Sequence, residues 1–76
     1  MSHDKPAILI INTENGAEYE ADELFQAQSI IQQEIREANE KDDYFIPEFI
    51  APVEIKEKLI NYTKRVYRFF HNGALD

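Results

Sequence analysis

Fifteen Asp and Glu side chains are the most plentiful reactive groups in this chain. Glu18 and Glu20, two apart, would share one face of a strand, with Asp22 and Glu23 just after them, and Glu40, Asp42 and Asp43 form a second group. Converging carboxylates serve paired acid–base catalysis or hard-cation binding, but each chemistry asks for more than the carboxylates themselves. A Ca²⁺ loop needs several oxygens arranged around a central glycine, and that pattern is absent. A glycosidase-type pair needs a deep pocket, which a chain of 76 residues seldom builds. The plain reading is solvated acidic surface. For Glu18, Glu20, Asp22 and Glu23 that means strand-edge solubility and helix-start charge, or an anionic contact for a partner.

Nucleophilic chemistry is poorly supplied. There is no cysteine, which also excludes disulfides and thiolate metal sites. The hydroxyls to consider are Ser2, Ser29, Thr13 and Thr63, and the only histidines are His3 and His71. A nucleophile needs a base within hydrogen-bond reach and a third group to orient that base, and no spacing here suggests such a set. Two glycines, Gly16 and Gly73, are too few for a dinucleotide-binding or phosphate-binding loop. Asn61-Tyr62-Thr63 matches a glycosylation sequon but falls inside a helical pattern in a chain that shows no secretion signal. The expectation is a protein with no catalytic residue, cofactor or metal. Lys64 to His71, KRVYRFFH, mixes cations with aromatics, and that is the pattern of a nucleic-acid contact. The same aromatics are also claimed by a helical core stripe.

That stripe lies in Pro52–Gly73. Ile55, Leu59, Tyr62, Val66 and Phe69 recur at spacings of four and three, one face of a helix, widened by Phe70 and, to one side, Ile60 and Tyr67. Lys58, Lys64, Arg65 and Arg68 occupy most of the opposite side. Gly73 is placed for a left-handed C-cap, with Leu75 for its hydrophobic contact. Upstream, residues 1–6 read as a mobile leader and Ala7 to Ile11 as a β-branched strand. Asn15-Gly16 predicts a two-residue hairpin loop, which places Thr13 opposite Glu18, Asn12 opposite Tyr19 and Ile11 opposite Glu20. One face of the hairpin then carries Ile8, Ile10, Ala17, Tyr19 and Ala21. The other carries Leu9 and Ile11 beside Glu18 and Glu20, so these two apolar side chains need a third strand, a helix end or a partner to cover them.

Asp22 is the expected N-cap of a helix reaching about Lys41, with the narrow stripe Leu24, Ala27, Ile31, Ile35 and Ala38. Phe25 and Ile30 lie off it as single surface apolar residues. Asp42-Asp43 is expected to end that helix. Tyr44 to Ile50 is either a short edge strand limited by Pro47 or an extended connector that lays Phe45 and Phe49 over the core. The fold class is α+β: an N-terminal β-hairpin, then two amphipathic helices with the short strand or connector between them. Residues 7–76 make one small domain.

Charge narrows the function. The net charge is −7, but residues 1–54 hold thirteen acidic and three basic side chains, and residues 55–76 hold two and five. This asymmetry gives the surface an acidic and a basic face. The opening MSHDKPAILII has no basic n-region and only five consecutive apolar residues, so it reads as neither a signal peptide nor a membrane span, and a cytoplasmic protein is the simplest expectation. The sequence points to a non-catalytic interaction module that binds and modulates a larger protein partner, as an adaptor or as an inhibitor of an enzyme acting on nucleic acid. Its candidate contacts are acidic Glu18, Glu20, Asp22 and Glu23, apolar Leu9, Ile11, Phe25, Ile60 and Tyr67, and basic Lys64 and Arg68. A dimeric nucleic-acid-associated regulator using the last helix is the competing expectation. A homodimer is also expected, because apolar positions outnumber what one hairpin and two helices can cover.

Overall fold

A computed structural model describes residues 7–41 and 45–71, with the backbone alone for residues 68–71. The order is β1 (Ile8–Ile11), β2 (Glu18–Ala21), α1 (Leu24–Glu40), β3 (Glu48–Ile50) and α2 (Val53–His71). The protein is α+β, a three-stranded antiparallel sheet in the order β2-β1-β3 with two helices. The expected leader, Asp42, Asp43 and Tyr44, and the expected Gly73 cap with its Leu75 contact lie outside the described residues.

The hairpin forms with a longer loop than Asn15-Gly16 alone predicts. Ile11 pairs with Glu18, Ile10 with Tyr19, Leu9 with Glu20 and Ile8 with Ala21. The loop has four residues, Thr13 to Gly16, closed by the Asn12 N–H donating to the Ala17 carbonyl at 2.8 Å. Local bonds favour this form. Asn12 Oδ1 accepts the Glu14 N–H and Asn15 Oδ1 accepts the Ala17 N–H, both at 2.8 Å. The Gly16 N–H donates to the Asn12 carbonyl at 2.7 Å, and Gly16 takes φ +80°, where a glycine costs least. The shift from the expected register is two residues, so every side chain keeps its expected face.

The stretch after the first helix combines the two readings: residues 45–47 form an extended connector that buries Phe45, and Glu48–Ile50 is the short edge strand β3, which buries Phe49. β3 runs antiparallel to β1, with Leu9 opposite Ile50, Ile10 opposite Phe49 and Ile11 opposite Glu48. Just before it, the Thr13 hydroxyl donates to the Ile46 carbonyl at 2.7 Å and accepts the Ile46 N–H at 3.2 Å, which carries the register two residues past the Ile11–Glu48 pair through a side chain. Asn12 donates toward β2, so by alternation Ile8 and Ile10 bond to β2 and Leu9 and Ile11 to β3. On β3 this leaves Phe49 with its N–H and C=O turned outward, and Pro47, on the same side, has no N–H. The edge is too short and too blunted to template another strand.

The core lies between one sheet face and the helices. Ile8, Ile10 and Ala21 meet Ala27, Ile31 and Ile35 of α1 and Leu59 of α2, with Phe45 and Phe49 also buried. The α1 stripe is as expected at its centre, with Leu24 and Ala38 half-buried. Ile30 also packs against the core, unlike the surface residue expected, whereas Phe25 is 75% exposed. The N-cap position is held by Glu23, not Asp22, and its side chain makes no cap bond. Instead Gln26 Oε1 reaches back to accept the Asp22 N–H at 2.9 Å, which satisfies one donor at the helix start. α2 begins when the Pro52 carbonyl accepts the Lys56 N–H at 2.8 Å.

α2 is rotated relative to the stripe drawn from spacing. Its buried line is Leu59, Thr63 and Tyr67, while Ile55, Tyr62 and Val66 form a half-buried flank. Tyr67 is therefore a core residue, 2% exposed, and not the uncovered interface aromatic expected of it. Its hydroxyl accepts the Phe45 N–H at 3.1 Å, and its ring meets Phe45 edge-on with centroids 6.0 Å apart. A buried phenol is tolerated only when its polar end is satisfied, and the connector before β3 supplies that partner. The two helices are tied by the Tyr62 hydroxyl donating to Gln32 Oε1 at 3.3 Å.

Candidate interaction surfaces

The helices cover one face of the sheet, and no described element covers the other. On the open face, alternation brings two cross-strand rows together: Glu18–Ile11–Glu48 and Glu20–Leu9–Ile50. Leu9 and Ile11 on the central strand are half-buried between their neighbours, and Ile50 is 55% exposed. Glu18, Glu20 and Glu48 are exposed. The result is an apolar centre with carboxylates on both outer strands. β3 lies beside Leu9 and Ile11 and pairs their backbone without capping their side chains. The third strand expected as a possible cover is present, and among the described residues nothing lies over the face.

Other expected contact residues are dispersed. Asp22 and Glu23 are exposed in the turn between β2 and α1, and Phe25 stands in the first turn of that helix. Ile60, 38% exposed, and Lys64 belong to α2, and the Arg68 side chain lies outside what is described. Ile50 and Glu48 complete the open face and were not singled out by the sequence. The signal for them was the alternation in EFI, visible only once that segment is known to be a strand. Exposed Ile46 and Val53, at 66% and 70%, also flank β3.

Two concavities accompany these surfaces. An apolar slot of about 220 Å³ opens between the β3 lead-in and α2, walled by Ile46, Pro47, Phe49, Ile60 and Tyr67, with Thr63 and Lys64 also lining it. The Thr63 hydroxyl is buried without a hydrogen-bond partner, an arrangement that costs about 1–3 kcal/mol. A smaller recess of about 60 Å³ lies by the hairpin loop and includes Asn12, Glu34, Glu37 and Lys41. There buried Asn12 donates its amide to Glu34 Oε1 at 2.9 Å, fastening the hairpin to α1.

Burial raises the Tyr19 pKa above its ordinary value, helped by the neighbouring Glu34 and then Glu37 carboxylates. Burial likewise raises Tyr62, opposed by the Arg65 charge. Among the described residues no three His, Cys, Asp or Glu side chains converge as a metal site, and no helix is long and apolar enough to cross a membrane. No protein-family model matches the chain, and neither a curated protein nor a solved structure is significantly similar to it.

Proposed function

We propose that this protein is a non-catalytic interaction module that uses the open face of its sheet to bind, and thereby modulate, a larger protein. The observation that carries the reading is the pair of rows Glu18–Ile11–Glu48 and Glu20–Leu9–Ile50. Apolar side chains at the centre of a surface and charges at its rim are the anatomy of a protein interface. The charged positions described on that rim, Glu18, Glu20 and Glu48, are all anionic, with Ile50 the apolar end of one row, so the partner segment it fits is amphipathic: apolar on one line, with Lys or Arg on both sides of it. A partner that ordinarily holds phosphates, such as an enzyme acting on nucleic acid, offers such a segment. The carboxylates would then compete for its basic groups, and modulation would take the form of inhibition.

The test compares the wild-type chain with Glu18→Lys/Glu20→Lys, both tagged and purified from the source cell under the same conditions. The expected result is a basic protein retained by the wild type and lost by the variant, whose circular dichroism is unchanged. Equal retention by both contradicts the reading. Recovery of nucleic acid in place of protein, abolished by Lys64→Glu, would support the competing one, in which exposed Lys56, Lys58, Lys64 and Arg65 of α2 contact phosphates.

A further inference from the structure

We infer that the slot between β3 and α2 is a binding site for a small aliphatic monocarboxylate, with its chain in the slot and its carboxylate between Lys64 and Thr63. The inference is independent of the sheet face. Its size sets the first limit. At about 220 Å³ the slot lies between a cavity of about 150 Å³ that holds benzene and the roughly 300 Å³ at which drug-sized pockets begin. That admits a ligand of roughly six to twelve non-hydrogen atoms.

Chemistry sets the second limit. Among the described residues the lining is apolar apart from Thr63, Lys64 and the Tyr67 hydroxyl. Lys64 is exposed and has no ion pair or hydrogen bond with any described residue. The Thr63 side chain, 7% exposed, has a hydroxyl with no partner either. Both residues line the slot, Lys64 from its exposed side and Thr63 from its buried side, and the Thr63 hydroxyl, closed off from solvent in its present rotamer, must turn about χ1 to meet a ligand oxygen there. An anionic head with two oxygens satisfies both, and a helical threonine divides between two χ1 rotamers, so its hydroxyl can turn to an incoming oxygen. Strand addition is the other use of such a place, and the β3 edge does not support it, because Pro47 has no N–H to give.

The experiment titrates ¹⁵N-labelled full-length protein with sodium octanoate below its micelle concentration, with 1-octanol and hexylammonium as controls. The expected result is saturable shifts at the amides of Phe49, Thr63, Lys64 and Tyr67. Octanoate should bind about two- to fivefold tighter than octanol, the range an exposed ion pair supplies, and hexylammonium should be weakest. Lys64→Gln, a surface change that leaves the core intact, should erase the advantage over octanol. Thr63→Val should weaken octanoate severalfold. Non-saturating shifts scattered over the surface, equal affinity for octanoate and octanol, or an unchanged preference in Lys64→Gln would each overturn the inference. So would line broadening at these amides that grows with protein concentration without octanoate, since a second copy of the chain would then occupy the slot.

Discussion

Thr13 and Thr63 carry the same side chain into opposite circumstances. The Thr13 hydroxyl bonds both backbone groups of Ile46, whereas the Thr63 hydroxyl is buried with no partner. Valine replaces threonine with almost the same shape, so the two substitutions should differ in sign. Thr13→Val should destabilise by about 1 kcal/mol in chemical denaturation, and Thr63→Val should be neutral or stabilising by up to about 1 kcal/mol. Tyr67→Phe would strand the buried Phe45 N–H, which the Tyr67 hydroxyl now satisfies, and should cost about 1–3 kcal/mol by the same measurement. Neither threonine's situation was legible in the sequence. Helical periodicity sorts side chains by polarity, which leaves Thr63 a candidate nucleophile or sequon member and sets Tyr67 on a flank of the stripe. The choice of which line of α2 faces the sheet belongs to Phe45 and Phe49, which arrive from another segment.

Among the elements, the helices and the first strand could be read directly because their apolar spacing is local and regular. The hairpin was half legible. Asn15-Gly16 correctly announces a reversal, but the competing side-chain bonds of Asn12 and Asn15 decide its length, and no count of apolar residues records them. β3 was open to two readings because three residues are too few to show a period, and its identity depends on pairing with a strand almost forty residues away. Gly16→Ala should destabilise by about 1–2 kcal/mol, since φ is +80° there although an added Cβ meets no atom within 4 Å. The packed tyrosines give a pH dependence. Tyr19 and Tyr62 have folded pKa values above the unfolded value, so the folded state favours their neutral forms. Their contribution is constant below about pH 10, the unfolded tyrosine value, and is lost as pH rises through the higher folded values. Urea midpoints measured from pH 8 to 11 should fall above about pH 10, and less steeply in Tyr19→Phe.

For the molecule as a whole, sidedness organises the surface. Two helices and a connector bury one face of the sheet around Ile8, Ile10 and Phe49, and the opposite face keeps its apolar row between carboxylates. The acidic half of the chain was evident from composition, but composition does not say that Glu48, more than twenty-five residues beyond Glu20, joins the same surface. The most direct measurement is a cross-linking map in the source cell, with a photoreactive amino acid placed in turn at Ile11, at Ile50 and, as a control, at exposed Gln33 on α1. If the open sheet face is the interaction surface, Ile11 and Ile50 should join the same peptide of one protein, a peptide with basic residues beside an apolar line, and Gln33 should not. Cross-links from Gln33 to that partner in the absence of any from Ile11 and Ile50 would contradict it.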